Sequence, residues 1–318
     1  MLTEISKEEW INITKDTECA SIFIDPVFLE PISRVFRYSI KYFMAEFKAK
    51  PALGFACFVK GKSIKVPTHF IYSGLWWDLK YDTIKFRNLL IEAIGDLKRS
   101  YNSIEFRLPP PVSDIRPFQW QDFSYQVSYT YTRNTTDLNF EYNIKSRVKK
   151  SFERKIVPSV SFSFSDVWNH QIHDLKRFHF SDRLLGKTKS LFKAWFENGF
   201  MLIYEARSPE GLVGSSCVLY DQHQSKAYNL LISSANSNYH TGVHAALYNF
   251  IFNDLRSRGI NNFDLYGADL RGVADFKSSF DAILEAHYTT RYNGRAAFVK
   301  NLKSGLKNKL IAIKGKVL

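Results

Sequence analysis

The sequence predicts an α/β protein with a mixed sheet, made of two tandem copies of one unit, the first of them degenerate. Three observations lead there. A repeat recurs at a spacing of 159 residues, the second half has a legible order of elements, and polar residues gather at one strand end. That strand end is Asn261–Phe280, NNFDLYGADLRGVADFKSSF. A short strand over Asn262–Tyr266 gives out at Gly267, and a short helix follows with Val273, Phe276 and Phe280 on one face. Asp264, Tyr266, Asp269, Arg271 and Lys277 therefore cluster beyond the carboxyl end of a strand, where open α/β sheets bind ligands.

The repeat sets Ser103-Ile104-Glu105-Phe106 on Asn262-Phe263-Asp264-Leu265, with an acidic residue between apolar ones in both. Tyr129-Thr130 falls on Tyr288-Thr289 and Asn134 on Asn293. A basic amphipathic helix follows in each half, Tyr142–Ile156 and Ala297–Lys314. The second half reads in order. Val160–Phe164 alternates as a strand, and helices follow over Asp166–Phe180 and Lys187–Asn198. Phe200–Ala206, Leu212–Tyr220 and Lys226–Ser233 form a meander joined by short turns. A helix over Gly242–Ser257 stops at Gly259, and Ala286–Tyr292 is the last strand. The order is β-α-α-β-β-β-α-β-α-β.

The first half reads as strands at Lys41–Lys48, Gly54–Lys60 and Lys65–Ser73, a helix over Thr83–Arg99, and strands at Ser103–Leu108 and Tyr125–Arg133. Between the last two, Pro109-Pro110-Pro111 and a loop through Trp120 replace the short helix, since three prolines cannot continue one. The chemistry is therefore expected in the second half. The domains are expected at 1–138 and 157–318, with a basic linking helix at 139–156.

Composition narrows the function. A chain of 318 residues suffices for two domains with real cores. No apolar run is long enough to span a bilayer. The amino terminus is charged and lacks an apolar signal core, so the chain is expected in the cytoplasm. Cys19, Cys57 and Cys217 are isolated and read as buried thiols rather than metal or redox groups. A net charge of +13 favours a polyanionic partner, whether phosphates, tRNA or an anionic membrane face.

The element order is that of the GNAT acyltransferase fold. Two such units, a basic helix after the first (Tyr129-Thr130-Tyr131 leading into Lys145–Lys155), and Phe263-Asp264-Leu265-Tyr266-Gly267 followed by Phe276-Lys277-x-x-Phe280 make the chain resemble the FemAB/FemX-like family of tandem-GNAT acyltransferases over nearly its whole length. The resemblance implies transfer of an acyl or aminoacyl group to an amine, with aminoacyl-tRNA or acyl-CoA as donor co-substrate and no tightly bound cofactor. It implies acceptors among cell-wall precursors and surface-glycan amino sugars, carried as nucleotide-sugars or lipid-linked precursors. Lys277 matches the lysine that lines the donor site in that family, and the basic segment there lies near the substrate channel.

One departure bears on the donor. Acyl-CoA enzymes carry Q/R-x-x-G-x-G/A where the meander meets the long helix, so that backbone N–H groups hold the pyrophosphate. Here the stretch from Ser233 to His244 keeps one glycine, Gly242, with Thr241 as a candidate helix cap. Trp76–Lys80 in the first half is no closer. A carrier-bound or tRNA-bound donor stays open.

The reaction fixes which groups are needed. Freeing a primary amine at neutral pH costs on the order of 4 kcal/mol, so a base is required. The tetrahedral intermediate needs a donor at its oxyanion, worth roughly 3–4 kcal/mol. Asp264 or Asp269 as base, Lys277 as oxyanion or carboxylate partner and Tyr266 as acid would supply the set, with Thr241, Gly242 and Arg271 toward the donor phosphates. Each has a plainer reading. Asp264 would bind backbone N–H groups at a strand end, Asp269 and Arg271 would pair with each other, and Lys277 would be a solvated helix lysine. His240 and His244 lack a third ligand nearby, so no metal is expected. They read as polar groups near an anion site, and His173 and His179 as helix surface.

The helix bearing Lys145, Arg147, Lys149, Lys150, Arg154 and Lys155 would either be a solvated face or hold phosphates. The carboxyl-terminal stretch, with lysines opposite Leu302, Leu306, Leu310 and Ile313, would suit an anionic membrane surface, such as the inner membrane face. The competing functions are a catalytically inactive GNAT-fold protein binding a phosphorylated ligand, and a charge-driven RNA binder.

Overall fold

The computed structural model describes residues 1–78, 83–234 and 241–294. Its strands are β1 (Leu2–Ile5), β2 (Ser39–Phe47), β3 (Lys50–Lys60), β4 (Ser63–Lys65), β5 (Gly74–Trp77), β6 (Ser103–Leu108), β7 (Ser124–Asn134), β8 (Val157–Val160), β9 (Met201–Ser208), β10 (Gly211–Asp221), β11 (Lys226–Ser234), β12 (Asn262–Asp264) and β13 (Ile283–Asn293). Its helices are α1 (Lys7–Thr14), α2 (Pro26–Phe36), α3 (Ile84–Ser100), α4 (Arg116–Trp120), α5 (Tyr142–Glu153), α6 (Phe164–Arg177), α7 (Asp182–Glu197), α8 (Val243–Ser257) and α9 (Arg271–Ser278). Among the described residues, no helix is long and apolar enough to cross a membrane.

Among the described residues the chain divides into two compact units, neither of them contiguous: those within 1–10, 38–127 and 288–294 in one, those within 11–37 and 128–287 in the other. The boundaries expected at 138 and 157 are therefore displaced, and strand pairing explains part of it. β13 runs antiparallel to β6, with Ser103 opposite Asn293, whereas β7 runs antiparallel to β12, with Asn134 opposite Asn262. A shift of 159 residues carries the first pair onto the second. Each half thus sends its last strand to pair with the penultimate strand of the other half, and each unit holds residues from both.

In the first unit β1, β2, β3 and β4 are antiparallel neighbours in turn, β5 adds to β3, and β4 lies parallel to β6. α3 starts at Thr83, whose side chain accepts from the Phe86 N–H, and buries Leu90, Ile94 and Leu97 at i, i+4 and i+7. The strand expected over Lys65–Ser73 stops at Lys65, because Pro67 has no N–H to offer a ladder and the chain turns back with Phe70 N–H on Pro67 O. The loop expected after the three prolines contains one helical turn, α4, with Pro117 in its first turn where a missing N–H costs nothing.

In the second unit the strands lie in the order β7-β12-β11-β10-β9-β8, parallel only between β11 and β12. Helices cover both faces. A Cβ on Gly214 would come within 2.6 Å of Val243 of α8, while the neighbouring Ser215 accepts from Gln171 of α6. Adjacent strand residues face opposite ways, so α8 and α6 lie on opposite sides. β8 ends at Val160 rather than Phe164, because the Ser163 hydroxyl caps the first turn of α6.

The segment 11–37 belongs to this unit through aromatic packing. The Phe28 ring stacks on Trp195 of α7 at 4.7 Å with the planes 1° apart, and Trp195 Nε1–H donates to the Phe28 carbonyl at 3.0 Å. Both side chains are fully buried. Phe28→Ala is expected to cost about 3–5 kcal/mol through the cavity it leaves, read as a fall in the urea midpoint with unchanged slope. An unchanged midpoint would show that this segment does not anchor the unit.

Candidate functional site

β12 is three residues long and lies between β11 and β7. Past its end Leu265 N–H and Ala268 N–H still reach back to β7, at Tyr131 O and Tyr129 O. Between those two anchors Tyr266 (φ 43°) and Gly267 (φ 68°) are both left-handed, a conformation costly for tyrosine and free for glycine. Asp264 holds it in place. Its fully buried carboxylate accepts the Tyr266 N–H at 2.9 Å and the buried Thr130 hydroxyl at 2.5 Å.

This bend gathers three carbonyls on one point. Lys277, one helix later, is buried, and its Nζ donates to Leu265 O at 2.8 Å, to Gly267 O at 2.8 Å and to Tyr266 O. An ammonium has three N–H bonds, and all three are engaged. Burial pulls this amine down to about 8, while the Asp264 carboxylate pulls the other way. The solvated lysine of the plain reading is excluded, and so is a lysine with an N–H to spare.

Beside Lys277 opens a cavity of about 600 Å³, lined also by α5, α6, α8 and α9. Its apolar wall includes Phe178, Ile232, Val273 and Phe276, and its polar wall Arg147, Asp174, Arg177, His244 and Tyr248. The Arg147 guanidinium lies 5.8 Å over the Phe276 ring. Asp174 receives Arg177 at 2.9 Å and the Ser233 hydroxyl at 2.6 Å. Tyr248 is fully buried, and burial raises its phenol above the ordinary value, so it stays protonated. Burial pushes the His244 imidazole down to about 4, so it is neutral at pH 7.

Gly242 is a point of close contact between α5 and α8. It stands at the N-cap of α8 with φ 85° and no side-chain cap, so Thr241, though buried, is not the cap. A Cβ on Gly242 would lie 2.1 Å from the Arg147 carbonyl oxygen, too close for any residue but glycine.

Asp264, Tyr266 and Lys277 are thus brought together, but of the three only Lys277 lines the cavity. Tyr266 is half-buried with its ring stacked 6.0 Å from His287. Asp269 is exposed and accepts the Tyr129 N–H at 2.9 Å. It does not pair with Arg271, which lies 3.8 Å from Asp275 on the exposed side of α9. Of the basic helix, Arg147 reaches the cavity, while Lys150 and Arg154 are exposed and Lys145 donates to Asn139. His240 and the carboxyl-terminal basic helix lie outside the described residues.

Sequence reasoning passed over Asp174, Arg177 and Tyr248. An Asp-x-x-Arg pair in the last turn of a helix reads as surface charge, and Tyr248, one turn after His244, reads as core. Only their shared cavity marks them.

No family model matches the sequence, and no curated protein matches it. Solved structures do match in fold. FemX superposes with a TM-score of 0.65 at 11% identity, covering 91% of this chain and 96% of its own. A tandem GNAT protein from the clavulanic acid biosynthesis pathway gives 0.57 at 8%, covering 92% and 98%. The carboxyl-terminal domain of a putative lysylphosphatidylglycerol synthetase from Agrobacterium fabrum gives 0.54 at 13%, covering 95% and 96%. The fold is therefore the FemAB/GNAT-like one that the sequence resemblance implied.

Lys277→Met would leave three carbonyls without their donor and is expected to destabilise the protein by about 3 kcal/mol or more. Arginine should not rescue it, because a planar fork cannot aim three N–H groups at carbonyls converging on one atom. Chemical denaturation of both variants checks this. His244 takes up its proton at about pH 6.5 when unfolded but only near 4 when folded. Stability should therefore be lost as pH falls from 6.5 to 4, by roughly 3 kcal/mol from this group. In His244→Gln that part of the pH dependence should vanish from the melting profile.

Proposed function

We propose that this protein is an N-acyltransferase that moves an acyl or aminoacyl group onto a primary amine of a cell-wall or surface-glycan precursor. The observation that carries the reading is the cavity beside the bend that follows β12, which joins an arginine that has no carboxylate partner among the described residues, a carboxylate and a buried lysine within the GNAT-like fold.

The chemistry assigns roles by position. Arg147 receives a phosphate or carboxylate of a substrate. The Asp174 carboxylate takes the proton of the incoming ammonium, the step worth about 4 kcal/mol at neutral pH. The freed nitrogen attacks the donor carbonyl, the carbon–oxygen bond to the carrier breaks, and the carrier leaves with a proton. Lys277 contributes its positive charge beside that carbonyl and holds the bend in shape, its N–H groups being occupied. The base role read for Asp264 is not supported, since a sealed carboxylate meets no amine. Asp269 and Tyr266 do not line the cavity, so base and acid roles for them are not supported either.

The close approach of Arg147 to Gly242 favours a tRNA or other carrier-bound donor over acyl-CoA. A backbone carbonyl lies against Gly242 at the amino terminus of α8, which would crowd a pyrophosphate held there. A catalytically inactive binding protein is the second reading, favoured by the full engagement of Lys277.

Titration with aminoacyl-tRNA and with acetyl-CoA separates these readings. Saturable binding of aminoacyl-tRNA is expected, weakened at least tenfold by Arg147→Glu. Transfer to an amino-sugar nucleotide should fall on the order of 10²–10⁴-fold in Asp174→Asn. Binding without transfer to any amine, or no binding of either donor, would remove the transferase and leave the inactive protein that binds another phosphorylated ligand.

A further inference from the structure

We infer that the outward face of α5 is a seat for an anionic lipid surface. α5 is fixed to the second unit by the fully buried Ile144 and Ser151 and by Val148, which packs against the core, at i, i+4 and i+7. Its exposed residues Tyr142, Lys145, Lys149 and Phe152 recur at i, i+3, i+7 and i+10, which places them in one row along the helix. The row spans about 15 Å at 1.5 Å per residue. Tyr142 is 85% exposed and Phe152 57%, large aromatic side chains that face water. Lys150, Arg154 and Lys155 are also exposed, off the row.

The partner follows from this chemistry. Two aromatic side chains with lysines between them are what the headgroup boundary of a bilayer accommodates: the rings enter the interface while long stems carry ammonium groups to the phosphates. Each such lysine is drawn toward an anionic leaflet. A nucleic acid would be gripped better by forked guanidinium groups, and the row has none. Arg147, the arginine of this helix that does have a site, faces the cavity instead. A membrane-bound α5 would set that cavity beside the headgroups, where a lipid-linked amine acceptor would enter. That consequence rests on the proposed function, but the seat does not.

Co-sedimentation of the full chain with vesicles tests the seat. Vesicles of phosphatidylglycerol and phosphatidylcholine should carry the protein down, and pure phosphatidylcholine should not. Lys145→Glu with Lys149→Glu should lower the apparent affinity at least tenfold. Tyr142→Ala with Phe152→Ala should lower it several-fold and leave residual binding that disappears at 0.5 M salt, where the screening length is about half that at 0.1 M. Circular dichroism should show both double variants folded. Binding of the anionic vesicles that neither variant changes would overturn the assignment to α5. Absence of binding, or vesicle binding abolished by a competing RNA that itself binds through the same lysines, would overturn the lipid surface as the partner.

Discussion

Three backbone carbonyls converging on one buried ammonium hold the strand end in its shape. The left-handed Tyr266 and Gly267 would otherwise relax, since nothing in a tyrosine favours positive φ. Lys277 offsets that cost with three charge-assisted hydrogen bonds, and Asp264 closes the bend from the other side through the Tyr266 N–H. α9 is fixed by the same contact, because Lys277 sits in its last turn. One wall of the cavity is thereby set by a bond between a strand end and a helix end.

The opposite wall depends on a missing side chain. α5 approaches α8 so closely at Gly242 that the Arg147 carbonyl stands where a Cβ would be. The Arg147 side chain lies over Phe276 and lines the cavity, while the lysines of the same helix are exposed. A helix that reads as uniformly basic thus presents Arg147 to the cavity and its lysines to solvent.

Strand pairing within the units follows the repeat to the residue. The opposed pairs Ser103–Asn293 and Asn262–Asn134 are equivalent under the shift that relates the halves. A single unit closed on its own last strand would give contiguous domains. Exchange of β7 and β13 gives units that each need both halves of the sequence, and that is why a linear boundary near residue 138 could not be right.

Local patterns alone determined the meander β9–β11, the helices α3, α7 and α8, the existence of a repeat, and the strand end at Gly267 as a place of polar convergence. Alternation, helical spacing and turn residues act over a few positions and are written in neighbouring letters. Tertiary structure decided which half each final strand joins, since hydrogen-bonded edges accept either copy when both carry the same register. It also decided the duties of single charges. Asp264 became a sealed bracket and Lys277 a fully engaged donor, while Asp174, Arg177 and Tyr248, which read as ordinary helix residues, came to line a cavity. Burial and hydrogen-bond partners are properties of residues far apart in the chain, and no short stretch of sequence records them.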